Sequence, residues 1–412
     1  LPGVSFEHYT YSHLIPFKLL DSLDKHHCLN RLYRYGFPVV TWPDVSPNFK
    51  HRNYSPLLSN SLSNQFYLAN PFSTKIAASK SFYRKFLFPF VQRCTLKVIS
   101  SSEYLQFLEA SSQASYLQSV SYCSSKSQTS NCDPIYISVV LDGIHTISVA
   151  CINVKRLKSF LSFGLCNLGP VDLPSPFLSS DHIKFISLLV LKREKSKLRL
   201  PFIIYKPFIE FSDFNTSLLK RSGFFRLSFA KPYTTGFLDL TCSTADLRSS
   251  LASKWRNVLN KTEKLGLNVH SFDINHESID FILKEYRRHQ LERGYTGIPD
   301  DLLVSLLNHH SSSFHFTLLK AYDNAPSSSY LGFLLTLSFN NTTTYLIGVT
   351  NAKGRKLQAN TLLLWSALTH AQASGSTTFD LGGLGTGSSS SISNFKLGTN
   401  PQIVSLLGDW IF

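Results

Sequence analysis

The stretch that decides the fold is YLIGVTNAKGRKLQANTLLLW, from Tyr345 to Trp365. It begins as a run of β-forming residues, passes through a polar loop at 351–358 and continues into a helix predicted from Asn360 to Ser374. A short strand follows in Phe379-Asp-Leu-Gly-Gly383 and ends at the two glycines. A strand, a helix and a strand in this order are typical of an α/β sheet.

Similar elements are predicted on both sides of this stretch. The predicted strands lie at 135–141, 146–152, 202–205, 237–240, 330–339, 344–350 and within 403–407. The predicted helices cover 103–114, a run through 185–191, one helix through 247–262 that stops at Gly266, and 279–293. The pattern predicts an α/β fold with mixed (α+β) sheets in two lobes, 96–236 and 237–412. Residues 1–95 are predicted to be an irregular N-terminal extension that wraps a neighbouring domain.

The amino-acid composition limits the classes of protein to which this chain can belong. Of 412 residues, 43% are hydrophobic and 16% are charged, which excludes a disordered chain. The longest apolar runs are strand-sized, and neither a membrane helix nor a secretory signal is predicted. Seven cysteines without a close CxxC pair indicate reduced thiols in a cytoplasmic protein rather than a disulfide scaffold or zinc site. The chain contains no Met, so its first residues are interpreted cautiously.

The net charge of +15 is unevenly distributed. Residues 239–412 hold 14 basic and 13 acidic residues, whereas residues 1–100 hold 12 and 4, and residues 101–238 hold 15 and 9. The excess includes the run Lys192–Arg199 and the pair Arg84-Lys85. Such a field attracts a polyanion: RNA, DNA, an acidic membrane surface or a phosphate-bearing substrate. The alternative is a solvated basic surface with no specific partner.

Several motifs in the second lobe together resemble one family. They are the GRKLxAN-LLLW helix start at 354–365, FDLGG at 379–383, Phe395-Lys-Leu-Gly398 and the terminal Gly408-Asp-Trp410. Ser253–Lys261 is similar to the helix that opens that family's second lobe. Weaker first-lobe marks are Leu117-Gln-Ser119, Lys126 and Leu168-Gly-Pro170. Over roughly residues 100–412 the chain resembles the FemABX family of peptidoglycan interpeptide-bridge aminoacyltransferases.

The resemblance implies a fold and an activity. FemABX proteins have two acetyltransferase-like (GNAT) lobes and transfer an amino acid from aminoacyl-tRNA to an amine of a peptidoglycan precursor. The resemblance also leaves open that the last strand of the second lobe, 237–412, returns to pair in the first lobe. It therefore implies aminoacyl-tRNA and a nucleotide- or lipid-linked stem peptide as partners, without a cofactor or a metal. The expected location is the cytoplasm or the inner face of the membrane.

Two residues are candidates for the chemistry. The resemblance places Lys396, in the Phe395-Lys396 turn, near the reacting carbonyl, where a fixed cation would stabilise the tetrahedral oxyanion. The alternative is a surface lysine in a glycine-containing turn. Asp380, at the end of its strand, could accept a proton from the attacking amine. We favour the alternative that its carboxylate binds backbone N–H groups and holds the turn.

Other cations and one amide are candidate substrate-binding residues: Lys126, Lys254, Arg256, Lys261, Arg355, Lys356 and Asn360. Arg355 and Lys356 precede a helix, where they could contact a phosphate or be exposed cations. In acetyltransferases glycines at this loop let backbone N–H groups approach the CoA pyrophosphate. Here Gly354 lies too early and side chains follow it, which disfavours acetyl-CoA. The cations at 254–261 could equally be the solvated face of a helix.

Two rival functions stay open. One is an acyl-CoA-dependent N-acyltransferase in cell-envelope or exopolysaccharide biosynthesis. The other is a non-catalytic GNAT-like module that binds RNA or an anionic surface. No His or Cys stands near a plausible partner in the sequence, so neither a covalent nucleophile nor a metal is predicted. An amine attacking an activated ester requires neither.

Overall fold

The computed structural model describes residues 87–111, 114–157, 161–176, 178–228, 232–309, 311, 313–324, 329–385 and 390–412. Its strands are β1 (Cys94–Ile99), β2 (Cys132–Leu141), β3 (His145–Leu157), β4 (Leu161–Asn167), β5 (Val171–Asp172), β6 (Ile203–Lys206), β7 (Phe225–Arg226), β8 (Thr234–Asp239), β9 (Asn268–Phe272), β10 (Phe314–Tyr322), β11 (Tyr330–Phe339), β12 (Thr342–Thr350), β13 (Thr378–Asp380), β14 (Gln402–Ser405) and β15 (Trp410–Ile411). The predicted extension lies outside the described residues up to position 86.

The helices alternate with these strands. They are α1 (Phe88–Arg93), α2 (Ser101–Glu109), α3 (Val120–Thr129), α4 (Ser180–Glu194), α5 (Asp213–Arg221), α6 (Thr244–Ser250), α7 (Ser253–Lys264), α8 (His276–Arg293), α9 (Asp300–Leu307), α10 (Ala352–Lys356), α11 (Ala359–Ala373) and α12 (Ser390–Leu397). Short 3₁₀ turns lie at Tyr116–Gln118 and Lys195–Leu198. None of the helices described here is both long enough and apolar enough to cross a membrane.

Two mixed sheets form the two lobes, as the sequence predicts. The first has the order β1-β2-β3-β4-β6-β15-β7, with β5 paired to β3, and the second has the order β14-β8-β13-β12-β11-β10-β9. The last strand of the chain, β15, therefore lies in the first sheet between β6 and β7. Trp410 on this strand is fully buried and fixes the carboxyl-terminal segment in the first core.

Each lobe has its own core. In the first, α4 lies against the sheet and buries every residue from Ile183 to Leu191, because the helix is apolar nearly all round. In the second, α11 and α7 cover the sheet through Leu363, Leu368 and Trp255.

A third hydrophobic cluster joins the two lobes. It contains Tyr104 and Tyr122 from the first lobe and Leu303 and Phe333 from the second. The side chain of Asn340 crosses the same boundary and donates a 2.9 Å hydrogen bond to the carbonyl of Leu108.

The local structure differs from the sequence prediction in several places. The first predicted helix ends at Glu109 rather than 114, and the helix predicted through 247–262 is two helices. Leu251 and Ala252 adopt extended backbone (ψ 141° and 137°) and separate α6 from α7. Strand β9, helix α9 and strand β10 were not predicted. The loop predicted at 351–358 contains α10, which Asn351 caps by accepting a 2.8 Å hydrogen bond from the N–H of Gly354.

Two cations of the basic run Lys192–Arg199 bind backbone carbonyls of the first lobe. Lys192 donates to the carbonyls of Ser222 and Gly223 (2.5 and 2.7 Å) at the end of α5. Arg193 donates to the carbonyls of Val91 and Cys94, both at 2.5 Å. The run therefore closes the first lobe around α1, α4 and α5. The pair Arg84-Lys85 lies outside the described residues.

Candidate active site

The second lobe contains an opening between two parallel strands. β12 and β13 are paired only from Thr342↔Thr378 to Thr344↔Asp380. Beyond this point β13 ends, while β12 continues to Thr350. The register between β11 and β12 shifts near Tyr345, which is a β-bulge. Tyr345 lies at this bulge, and its ring centre is 4.7 Å from the Nζ of Lys396.

Asp380 lies where the strands part. Its Oδ1 accepts hydrogen bonds from the hydroxyl of Thr235 (2.5 Å) and the N–H of Gly382 (2.9 Å). Burial raises the pKa of this carboxyl, while the bonds from Thr235 and Gly382 and the charge of Lys396 lower it in part. The structure thus shows the backbone contact that the sequence interpretation favoured. It also gives a carboxylate with increased proton affinity.

Lys396 is buried beside this carboxylate, with 6% of its surface exposed. Its Nζ donates a 3.2 Å hydrogen bond to the carbonyl of Gly383 and lies 4.7 Å from the centre of the Tyr345 ring. The predicted turn around Lys396 is wrong, because the residue lies in the last turn of α12. The surface alternative is also wrong. A lysine held by an aromatic ring and a carbonyl is a fixed positive charge.

The turn after β13 is shaped by Gly382. Its φ is +70°, and a Cβ at this position would lie 2.9 Å from the carbonyl oxygen of Tyr345. The backbone of the FDLGG segment therefore approaches β12 closely just beyond the last strand pair. Only a residue without a side chain allows this approach without strain.

Tyr233, just before β8, lies near the same carboxylate. Burial raises the pKa of Tyr233, and the nearby charges of Asp380 and Tyr116 raise it further. Tyr116 belongs to the first lobe, so Tyr233 has a titratable neighbour in each lobe.

A second group that the sequence interpretation missed lies on α8. The Nδ1 of His289 is 3.0 Å from the hydroxyl of Tyr295. Burial lowers the pKa of His289, and the charges of Arg293 and Arg355 lower it further. The sequence offers no signal for this pair, because a spacing of six residues does not place two side chains on one face of a helix.

The seven predicted binding residues do not all lie together. Arg355 lies on α10 near His289 and donates a 2.6 Å hydrogen bond to the carbonyl of Thr350. Lys356 is exposed at the end of the same helix, and Asn360 begins α11. On this side of the lobe the arrangement offers cations near a helix N-terminus.

The cations of α7 are near α12 rather than α10. Trp255 packs against Phe395, with ring centres 6.1 Å apart, and the N–H of Ala252 donates to the carbonyl of Gly398. Lys254 and Lys261 are exposed. Arg256 donates a 2.6 Å hydrogen bond to the carbonyl of Ser249.

Lys126 is separate from these groups. It lies on α3, where burial lowers its pKa, and its nearby charges include Cys132, Lys155 and Asp301. Its neighbour Gln128 helps to line a cleft of 650 Å³ between α3 and α9. The structure does not bring Lys126 to the Lys396 site.

The other two first-lobe motifs, Leu117-Gln-Ser119 and Leu168-Gly-Pro170, have a structural role. Gln118 is fully buried; its Oε1 accepts from the N–H of Cys151 (2.8 Å) and its Nε2 donates to the carbonyl of Asn167 (2.6 Å). A Cβ on Gly169 would lie 2.9 Å from Gln118 Oε1. Gln118 therefore holds β3 and the end of β4 together, and Gly169 leaves room for it.

Thiols and metal ligands do not form a site in the described part of the chain. Its cysteines are unpaired and mostly buried. Burial raises the pKa of Cys166 to about 12, which keeps it a thiol and a poor nucleophile. Among the described residues, no three His, Cys, Asp or Glu side chains are grouped to hold a metal ion.

Comparisons with known proteins support the description of the second lobe. Residues 249–396 match the family model of the acetyltransferase (GNAT) domain. This part of the chain is therefore similar to a GNAT domain. This match includes Asp380 and ends at Lys396.

The whole described region also has a counterpart among solved structures. The crystal structure of FemX superposes with a TM-score of 0.63 at 15% sequence identity, covering 77% of this chain and 96% of FemX. L-PGS from Bacillus licheniformis gives a TM-score of 0.46 at 12% identity, with 76% and 92% covered. A tandem GNAT protein from the clavulanic acid biosynthesis pathway gives 0.46 at 8% identity, with 77% and 98% covered. No curated protein matches the chain by sequence. The predicted likeness to FemABX proteins is thus confirmed in the fold.

Proposed function

We propose that this acyltransferase transfers an aminoacyl group from aminoacyl-tRNA to an amine of a peptidoglycan precursor. The observation that carries the proposal is the burial of Lys396 beside Asp380, where β12 and β13 separate. The FemX-like fold supports the choice of donor and acceptor. An acidic group and a fixed cation at one opening suit aminolysis of an ester, because that reaction develops an oxyanion and releases a proton.

In the mechanism that we propose, the acceptor amine attacks the carbonyl carbon of the aminoacyl ester. The C–N bond forms, and the carbonyl oxygen becomes an oxyanion that the ammonium of Lys396 stabilises. Asp380 takes the proton from the nitrogen. Collapse of the intermediate re-forms the carbonyl and breaks the C–O bond to the ribose. The leaving alkoxide receives the proton that Asp380 held, so no net proton is consumed.

The loop before α11 supports a donor other than acetyl-CoA. The N–H of Gly354 is engaged by Asn351, and a Cβ on Gly354 would lie 2.2 Å from the carbonyl oxygen of Leu331. This glycine is therefore used to pack α10 against β11. The residue that caps α11 is Gln358, which has a φ of +56°. Its side chain stands where close backbone approach by a pyrophosphate would need a glycine.

One specific observation favours an acyl-CoA donor as the second candidate. The family model that matches residues 249–396 is that of an acetyltransferase domain. An acyl-CoA-dependent N-acyltransferase acting on an envelope amine would use the same cation and carboxylate. The donor is the point on which the two candidates differ.

A single-turnover transfer assay separates them. Purified protein is mixed with labelled aminoacyl-tRNAs, with and without a peptidoglycan precursor, beside a parallel reaction with acetyl-CoA. We expect transfer that depends on the precursor, is lost in Lys396→Ala and is retained in Lys97→Ala, which removes an exposed lysine on β1. Acyl transfer from acetyl-CoA with no turnover of aminoacyl-tRNA would overturn the proposed donor.

A further inference from the structure

Helix α7 carries three lysines on one side, Lys254, Lys261 and Lys264, which we call the lysine stripe. At 3.6 residues per turn, these positions fall within an arc of about 80° around the helix axis. All three side chains are exposed, and none of them has a hydrogen-bond or ion-pair partner among the described residues. The buried side chains of the helix, including Trp255 and Leu259, lie on its other side.

The one acidic residue within α7 does not cancel this charge. Arg248 on α6 donates a 2.8 Å hydrogen bond to Oε1 of Glu263 and a 2.7 Å bond to the side chain of Asn260. Arg256 also turns toward α6, where it donates to the carbonyl of Ser249 at 2.6 Å. These polar groups join the two helices, and Arg248 neutralises the carboxylate. The lysine stripe therefore keeps its full positive charge.

One end of the lysine stripe lies beside the helix that carries Lys396. Trp255, the residue after Lys254, packs against Phe395, the residue before Lys396, with ring centres 6.1 Å apart. The other end of α7 leads into β9, at the edge of the sheet farthest from β8 and β13. At a rise of 1.5 Å per residue, Lys264 lies about 15 Å further along the helix than Lys254. The stripe thus leads away from the candidate active site over the surface of the second lobe.

A linear polyanion fits this arrangement better than a small anion. Under the proposed function the ester of the donor lies at Lys396, and that ester is formed by the 3′-terminal ribose of the tRNA. The preceding nucleotides must leave the site in one direction, and each carries a phosphate. The length of the stripe corresponds to roughly four steps of 3.4 Å along one nucleic-acid strand. A single phosphate or pyrophosphate would need converging cations, whereas these cations are spread along a helix.

We propose that the lysine stripe binds the phosphates of the 3′-terminal nucleotides of the donor tRNA while the aminoacyl ester lies at Lys396. This inference rests on the proposed function and adds to it the surface that holds the donor. Contacts between lysines and phosphates position the RNA without reading its bases. They also release counterions, so binding through the stripe weakens as the salt concentration rises.

Two triple variants of equal net charge separate a local surface from the general positive charge of the chain. The stripe variant combines Lys254→Ala, Lys261→Ala and Lys264→Ala, and alanine preserves the helix because it has the highest helix propensity. The control variant removes exposed lysines on β1, α5 and α8: Lys97→Ala, Lys220→Ala and Lys284→Ala. A charge-retaining variant replaces each lysine of the stripe by arginine.

The first measurement is the affinity of each protein for labelled, deacylated mixed tRNA between about 50 and 200 mM salt. We expect the stripe variant to bind roughly 10- to 100-fold more weakly, with the slope of log affinity against log salt reduced by about 2 to 3, or about 1 per lysine. The control and arginine variants should stay within about threefold of the wild type with an unchanged slope. Equal losses in the stripe and control variants, or an unchanged slope in the stripe variant, would overturn the proposal.

Two further probes identify what the stripe binds. Mixed tRNA trimmed of its 3′-terminal nucleotides should bind the wild type and the stripe variant alike, and a persisting difference would place the contacts elsewhere on the RNA and refute the assignment. Vesicles containing phosphatidylglycerol test an anionic membrane as the partner. Loss of vesicle binding in the stripe variant with unchanged affinity for tRNA would also contradict the proposal.

The second measurement is single-turnover transfer from aminoacyl-tRNA. The stripe variant should need roughly 10- to 100-fold more donor for half-maximal rate and keep a rate at saturating donor near that of the wild type. A changed requirement for the precursor instead would assign the stripe to the acceptor. If the wild type transfers nothing but the stripe variant loses tRNA affinity, the proposed function fails and the RNA surface stands. If transfer occurs and the stripe variant binds tRNA normally, the surface is wrong and the proposed function stands.

Discussion

The two lobes share one architecture but treat their parallel strand pair differently. In the first lobe β4 and β6 are paired from Gly164↔Ile203 to Asn167↔Lys206, and the neighbouring gap is filled by the amide of Gln118. In the second lobe β12 and β13 part after Asp380, and a carboxylate and an ammonium lie at the opening. Under the proposed function, the first lobe is a closed support and the second holds the chemistry.

Replacing the cation of the second lobe should have the largest effect. Lys396→Met removes the charge but keeps a chain of similar length against Tyr345. We expect kcat/KM for transfer to fall by roughly 10²- to 10³-fold, because one fixed donor to an oxyanion contributes about that much. The free energy of unfolding, measured with urea, should change little.

Removing the buried amide of Gln118 in the first lobe should instead lower the stability of the protein and leave the transfer rate per folded molecule nearly unchanged. Gln118→Leu leaves the N–H of Cys151 and the carbonyl of Asn167 buried without the amide that now binds them. We expect a loss of about 2–4 kcal/mol in the free energy of unfolding, since unsatisfied buried polar groups cost roughly 1–3 kcal/mol each.

Gln128→Leu is the control for this change, because it removes a bond at the surface between Ser305 and Gln128. It should change the free energy of unfolding by less than about 1 kcal/mol. If Gln118→Leu abolished transfer in protein that is still folded, the support role of the first lobe would be wrong.

A substitution at Gly382 tests whether the close approach of this backbone segment to β12 matters for stability and activity in the second lobe. Gly382→Ala places a Cβ against the carbonyl of Tyr345 at a φ of +70°. Gly375→Ala has a similar φ of +86° but nothing within 4 Å, so it isolates the backbone cost, about 1–2 kcal/mol. We expect Gly382→Ala to destabilise the protein more than Gly375→Ala and to lower kcat as well. Equal effects on both quantities would show that the close approach is unimportant.

The smallest expected effect is a pH dependence of stability. The pKa of Asp380 is raised above its ordinary value of 3.8, so the contribution of this carboxyl is fully present below the unfolded pKa. That contribution is lost as pH rises through the folded pKa.

Asp380→Asn removes this titration. In urea unfolding between pH 3 and 8, wild type should lose stability relative to Asp380→Asn as pH increases. A difference that grows in the opposite direction would mean that the Thr235 and Lys396 interactions outweigh burial.

The sequence predicts those parts of the fold that depend on local patterns. Asp142-Gly143 correctly separates β2 from β3, and the apolar run after Asn360 is α11. The break at Leu251 is invisible in the sequence because helical spacing continues across it. Strand β15 could not be placed by pattern, since its partners Tyr205 and Arg226 lie about 200 residues earlier.

From the sequence, residues of the site could be predicted one by one, but their grouping in space could not. The sequence singles out Asp380 and Lys396 through a family resemblance, and the structure brings them together. Thr235 lies 145 positions from Asp380, so their contact follows from the pairing of β8 with β13. The basic run at 192–199 shows the opposite case. Its charge pattern suggested an external partner, but the side chains of Lys192 and Arg193 bind carbonyls of the first lobe.

The most direct test of the division between the lobes measures transfer per folded molecule in Lys396→Met and Gln118→Leu side by side. The rate is measured in a single turnover, and the folded fraction is taken from the urea curve of each variant. We predict that Lys396→Met is folded and nearly inactive, while Gln118→Leu is less stable and transfers at close to the wild-type rate per folded molecule. An active Lys396→Met together with an inactive but folded Gln118→Leu would contradict the assignment of the chemistry to the second lobe.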